Sequence, residues 1–275
     1  MDVVLDLDLD FFVWPKIHYP HWKGRAPLRE CPHVASAESV RTFLEQRCHL
    51  SKDSYVLGQE FRDHHHAFYE WRRWLLDGRL TAPFVVVHVD AHADLGVGSS
   101  AWKYLETELL GLPLAERAKP RRGKNGLNLA NYLLFAIANR WVHELTYVYP
   151  TNPSPPSPVR QRNPAVPSIE DIAKELGGID GYDDDQPPTN DVPACCFENE
   201  DWKTEKIQLK HYRPQDWPNR SKSIGLEPSV PFHWAAGREF QFKGFTHMVV
   251  SQSPRYTPES ADALLPVIRE YFRPE

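Results

Sequence analysis

The sequence predicts an α/β fold of three layers, with a mainly parallel central sheet between two layers of helices. Short apolar runs of strand length recur at Val3–Leu9, Phe84–Val89, Leu145–Tyr149 and His247–Val250. Near-continuous runs of this kind mark strands buried on both faces. Among them lie stretches with apolar residues at helical spacing: Ala37–Gln46, His66–Leu76, Leu127–Ala138 and Ala261–Phe272. Alternation of strand and helix is the pattern of a parallel sheet, and 275 residues suffice for one large α/β domain or two small ones.

The first helix is expected to open at Ser36 or Ser39, both able to cap free N–H groups, with Val40, Phe43 and Leu44 on one face. Pro150–Pro167 is too rich in proline for helix or central strand and reads as a connector. Ser168–Leu176 is a short helix candidate, and Asp180–Asp191, with Asp183, Asp184 and Asp185, reads as a solvated loop. A domain boundary near residue 150 is one reading. The other returns the C-terminal strand and helix to the first sheet, giving a single domain, 1–275, with a Pro-rich and acidic insertion at about 150–200.

Composition narrows the function. A hydrophobic share of 41% and a charged share of 25% are those of an ordinary globular protein. The net charge of -5 argues against a nucleic-acid partner, and no basic run is dense enough for a membrane surface. No apolar run reaches the roughly 18 residues of a spanning helix. Met1-Asp2-Val3-Val4-Leu5-Asp6 lacks the cationic start of a secretory signal. Cys31, Cys48, Cys195 and Cys196 have no CxxC spacing, which suits reduced thiols and a cytoplasmic protein. The 25 Pro and 9 Trp point to long ordered loops and aromatic-lined surfaces.

The chemistry concentrates in three places. The apolar run Phe84–Val89 leads into Asp90, His92 and Asp94, three metal-capable side chains at i, i+2 and i+4. Ligands of open α/β sheets bind at the carboxyl ends of strands, so this run delivers all three to the usual site. In Leu5-Asp6-Leu7-Asp8-Leu9-Asp10 a period of two puts three carboxylates on one face. Their repulsion and desolvation call for cations beside them; a solvent-exposed edge strand is the bland alternative. Asp8 and Asp10, nearest the strand's end, are the expected ligands, with Asp6 behind them. The run His64-His65-His66 precedes a helix. Helical neighbours differ by about 100°, so one histidine can reach a metal while another assists substrate or packs. Taking His64 as that one, Asp8, Asp10, Asp90 and Asp94 with neutral His64 and His92 balance two divalent ions. An oxygen-rich shell favours Mn²⁺ over Zn²⁺, though other divalent ions fit. Two ions sharing a water supply a hydroxide near neutral pH, which is hydrolytic chemistry.

These residues resemble the ureohydrolase superfamily of arginase, agmatinase and, more distantly, the deacetylases. Asp90-Ala91-His92-Ala93-Asp94 is similar to its DAHxD element, Asp63-His64 to its Asp-His ligand, Asp8-Leu9-Asp10 to its DxD pair, and Val249–Tyr256 faintly to its last strand. The resemblance implies an arginase-like fold and two Mn²⁺ held by Asp8, Asp10, His64, Asp90, His92 and Asp94. Here the DxD strand comes first, so the strands are reordered. Ser251 stands where the family has a guanidinium-binding glutamate, and Asn128–Asn131 is the stretch nearest the family's GNxHG loop. The combination of DLDLDFF, DHH and DAHxD resembles the peptide arginases of ribosomal-peptide natural-product pathways. It implies hydrolysis of arginine residues in a peptide substrate to ornithine and urea. A small-molecule ureohydrolase or amide deacetylase, and a non-catalytic metal-binding regulator, are the alternatives. Further candidates are Glu60, His65 and Asn131 for catalysis, and Asp6, Trp14, His18 and Ser251 for substrate binding. Trp14 and His18 belong to the aromatic loop Phe11–Trp22, expected at the mouth of the site.

Overall fold

A sheet of ten strands in the order β12-β4-β11-β1-β5-β6-β10-β8-β7, with β9 beside β8, carries the molecule. The computed structural model describes residues 1–17, 20–21, 24–96, 99–123, 125–151, 195–197, 206–211 and 224–274. The strands β1 (Val3–Asp8), β4 (Val56–Phe61), β5 (Phe84–Val89), β6 (Val142–Tyr149), β10 (Val230–Ala236), β11 (His247–Ser251) and β12 (Phe272–Arg273) run parallel to one another. Antiparallel β8 (Lys206–His211) follows β10 and pairs with β7 (Cys195–Phe197) and β9 (Ile224–Gly225). A separate ribbon joins β2 (Val13–Trp14) to β3 (His33–Val34).

Helices cover both faces. Along β1 and β5, Val4, Phe84 and Val86 enter one core with Phe68, Trp71 and Trp74 of α2 (His66–Leu76), α3 (Ser99–Tyr104) and α5 (Tyr132–Ala138). Leu5, Leu7, Val87 and Val89 enter the other, against α1 (Ala37–Thr42) and α6 (Leu265–Ile268). The period of two assigns Asp6, Asp8 and His88 to the α2 face. Rings lock this layer: Trp71 meets Phe84 edge-on at 5.6 Å and Phe68 stacks on Trp141 at 4.7 Å. A short helix, α4 (Leu114–Arg117), follows α3. No helix among the described residues is long and apolar enough to cross a membrane.

Several elements depart from the sequence pattern. β1 ends at Asp8, and Asp10 lies in a tight turn, Leu9–Phe12, so only Asp6 and Asp8 share a strand face. The run 127–131 is a turn, because Asn128 and Asn131 side chains accept the nearby N–H groups of Ala130 and Asn128; α5 starts only at Tyr132. Ser36 caps α1 as expected, but the helix widens into a π segment over Phe43–Arg47. Residues 261–272 form short turns rather than one helix: α6 restarts at Leu265, and Pro266, lacking an N–H, sits in its first turn. β4, β10 and β12 were not expected. In β4, Gly58 leaves space that a Cβ would fill 2.6 Å from the Phe272 ring of β12. β11 inserts between β4 and β1, so the chain beyond residue 150 returns to the first sheet. Residues 152–167 of the proline-rich connector, Ser168–Leu176 and Asp180–Asp191 lie outside the described residues.

Candidate metal centre

The carboxyl ends of β4, β11, β1 and β5 lie side by side, with Phe61 opposite Ser251 and Ser251 opposite Asp8. This level rim is where open parallel sheets bind ligands. The loops leaving it line one cavity with Asp8, Asp10, Asp63, His64, Asp90, His92, Asp94, Leu129, Ser253, Arg255 and Tyr256. All six expected metal ligands are therefore gathered, and each is at least nine-tenths buried.

Spacing in the sequence explains their aim. Asp8 Oδ1 accepts the N–H of Asp10 at 2.9 Å, and Asp90 Oδ1 accepts that of His92 at 2.7 Å. A carboxylate that takes the N–H two residues on makes an Asx turn. Each turn bends the chain off its strand and leaves Oδ2 facing inward. Asp10 Oδ1 accepts the Ala91 N–H at 3.1 Å, stitching the two turns together. Asp94 and Ser253 hold left-handed backbone, φ 48° and 46°, which turns their side chains back to the rim. Ser253 Oγ donates to Asp8 Oδ2 and lies 2.8 Å from Ser251 Oγ.

His64 supplies the deciding geometry. Its Nδ1 lies 3.0 Å from Asp8 Oδ2, 2.9 Å from Asp90 Oδ2 and 3.3 Å from Asp94 Oδ2, yet is buried without a well-formed hydrogen bond. Its Nε2 lies 3.0 Å from Asp6 Oδ1. With the proton on Nε2, donated to Asp6, Nδ1 presents a lone pair to three carboxylates. Separations of about 3 Å are the ligand–ligand edges that metal bonds of about 2.1 Å at right angles produce. His92 repeats the arrangement: Nε2–H donates to the Ile17 carbonyl at 2.9 Å, and Nδ1 faces Asp10 Oδ2 at 2.8 Å. Asp8, His64 and Asp90 form one group fit for a metal ion and Asp10, Asp90 and His92 another, with Asp90 common to both. These buried groups could hold a metal ion.

Electrostatics agrees. Burial, then Asp8 and Asp90, raises Asp10 well above the carboxylate range. Burial, then Asp90, raises Asp94 to about 6. Burial would lower His92, but Asp10 and Asp90 outweigh it and push it up to about 10. Such displacements show protons standing in for cation charge.

Beneath the candidate ligands lies a sealed polar layer in which Asp6 sits behind them as expected, while its partners His88 and Tyr132 were missed in the sequence. Asp6 Oδ2 accepts from the Tyr132 hydroxyl at 2.6 Å and sits 2.9 Å from His88 Nδ1, while His88 Nε2–H donates to the His92 carbonyl at 2.9 Å. Asp6 and His88 are fully buried. A lone histidine inside the apolar run Phe84–Val89 was the available signal. Asp6 therefore orients His64 and cannot meet substrate. Replacing Asp6 with Asn should lower metal affinity about 10- to 100-fold with all ligands retained, the usual effect of removing a ligand's hydrogen-bond partner. Titration with Mn²⁺ checks this; unchanged affinity would refute the orienting role.

Other expected residues lie elsewhere. Glu60 is on β4, paired with Arg269 at 2.7 and 2.8 Å on the opposite face of the sheet from His64. Asn131 is fully buried, with Nδ2 donating to the Gly126 carbonyl at 3.0 Å. His65 packs edge-on against His66 at 4.6 Å and near Tyr69, outside the cavity lining. Trp14 stacks on His33 at 5.5 Å. Ser251 lies one step behind Ser253 and reaches the site only through it. His18 lies outside the described residues. Conversely Asp63, Ser253, Arg255 and Tyr256 line the cavity without having been singled out for it; the last three follow the apolar run His247–Val250, as ligand loops follow strands. Tyr256 packs its ring 4.5 Å from that of His92. No family model, curated protein or solved structure matches the chain.

Proposed function

We propose that this chain is a metal-dependent hydrolase with a two-manganese centre of the arginase kind, acting on arginine residues within a peptide. The single observation that carries the reading is His64 Nδ1, aimed at Asp8, Asp90 and Asp94, with Asp90 shared by the Asp10–His92 group. A shared carboxylate between two ligand groups suits a pair of ions, and four carboxylates with two imidazoles suit Mn²⁺. Bound there, such a pair supplies an activated water and stabilises developing negative charge. The chain's own part is to fix the ligands through the Asx turns and Asp6. In the overall reaction water adds to the guanidinium carbon, the bond to the side-chain nitrogen breaks, urea leaves, and the ornithine amine keeps the proton.

The space enclosed among these residues is only ≈ 10 Å³, about room for one water, so a substrate would present its reacting side chain to the ligands from the rim. The motif resemblance supports a peptide as its bearer. Incubation with Mn²⁺ and an arginine-containing peptide should yield urea and a product lighter by CH₂N₂ per converted residue. Turnover of free arginine, agmatine or an acetylated amine instead would move the assignment to a small-molecule ureohydrolase or deacetylase. Two bound ions with no turnover of any of these would leave a metal-binding regulator.

A further inference from the structure

We infer that the Tyr256 hydroxyl is a substrate contact of this site, accepting an N–H of the guanidinium that reacts there. The inference rests on the guanidine reading above and adds a residue that recognises the group. Beyond the four aspartates and two histidines of the centre, the cavity is lined by Asp63, Leu129, Ser253, Arg255 and Tyr256. Leu129 has no polar side-chain atom. The Ser253 hydroxyl is committed to Asp8. Asp63 and Arg255 face each other, and Arg255 repels a cationic substrate. Tyr256 differs from all of these: no hydrogen bond joins its hydroxyl to another described residue.

The surrounding structure holds that hydroxyl in place. The buried Tyr256 ring packs 4.5 Å from the His92 ring, tilted by 48°. Its backbone belongs to a closed turn, in which Tyr256 N and Thr257 N both donate to the Ser253 carbonyl, at 2.9 and 3.0 Å. The buried Thr257 hydroxyl lies 2.9 Å from the Gln252 carbonyl and from the Ser253 carbonyl. Burial raises the phenol above its ordinary range, and the carboxylates of Asp94, Asp10, Asp90 and Asp8 raise it further. The hydroxyl therefore stands within electrostatic reach of all four, beside the space that admits one water. A carbon that reacts at that space brings its nitrogens to the same place. A guanidinium offers only N–H donors, and a phenol oxygen accepts them. Two divalent ions would neutralise the four carboxylates, so a neutral acceptor there fixes the direction of approach.

Tyr256→Phe removes the hydroxyl and keeps the ring against His92. Binding of N-acetyl-arginine amide to the manganese-loaded protein is measured by calorimetry, with manganese affinity titrated for each variant. Tyr256→Phe should bind this ligand about tenfold more weakly, the scale of a hydrogen bond to a charged group, at wild-type manganese affinity. Unchanged ligand binding overturns the inference. So does an equal loss of manganese affinity, the mark of a residue that only props His92. Should Tyr256→Phe fail to fold, Tyr256→Gln, with an oxygen that can accept, must bind the ligand more tightly than Tyr256→Leu of similar size. Equal binding by those two overturns the inference, as does a loaded wild-type protein that binds no ligand. Urea release is followed separately. Weaker binding in Tyr256→Phe without urea from the wild type keeps this inference and removes guanidine hydrolysis; urea release with an unchanged KM in Tyr256→Phe does the reverse.

Discussion

Replacing Asp90 with alanine should strip the protein of metal and reduce hydrolysis to background. Asp90 is the residue common to the Asp8–His64 and Asp10–His92 groups, so its loss opens both coordination shells at once. It also accepts the His92 N–H at 2.7 Å, so the turn that aims His92 goes with it. The variant leaves a buried His64 facing two carboxylates instead of three. Elemental analysis of protein purified from manganese-supplemented culture should give near-zero metal, and urea release should fall by about 10³-fold or more, the scale at which loss of one group disables a catalytic set that acts as a unit. Glu60→Ala is the matched control. That carboxylate pairs with Arg269, partly exposed on the other side of the sheet, so metal and turnover should stay at wild-type levels. Full metal content in the Asp90 variant would end the account of a shared ligand.

Why the sequence revealed the candidate ligands but not the rim has a physical basis. β1 and β5 are central strands, buried on both faces, so every aspartate in or just after them stands out against valine and leucine. Asx turns then fix the spacing, because an acceptor two residues upstream of its N–H is a local rule readable in one dimension. The rim obeys no such rule. Glu60 and Asp63 are three residues apart, yet Glu60 faces Arg269 across the sheet while Asp63, past the strand's end, lines the cavity. Strand alternation decides the first and loop geometry the second, and only the first is legible without coordinates. The histidine run was equally open: α2 begins at His66, which leaves His64 before the helix and directed inward while His65 turns to Tyr69. β4 hid because Gly58, Gln59 and Glu60 break its apolar run; its place between β11 and β12 comes from partners distant in sequence.

Withdrawing metal should loosen the fold, and metal affinity should rise with pH. In the protein without cations, burial and neighbouring carboxylates raise Asp10 well above its normal range and Asp94 to about 6, while Asp10 and Asp90 hold a proton on His92 up to about 10. A divalent ion must displace those protons to bind. Each proton released makes affinity about tenfold weaker per unit fall in pH. Between pH 8 and pH 6 the proton on His92 contributes to the slope, and Asp10 and His64, both raised above their ordinary ranges, act in the same direction; below about 6 Asp94 takes up another proton and the slope steepens. Manganese titrations at pH 8, 7 and 5.5, each in two buffers of different ionisation enthalpy, should show proton release and this loss of affinity. At pH 7 with metal about 100-fold above its dissociation constant, binding adds about 2.7 kcal/mol to stability. For a chain of this size that is roughly 5 to 10 °C in Tm, and a chelator should remove it. A metal affinity flat across this pH range would mean that His92 and Asp94, which must give up protons to bind a cation, are not ligands.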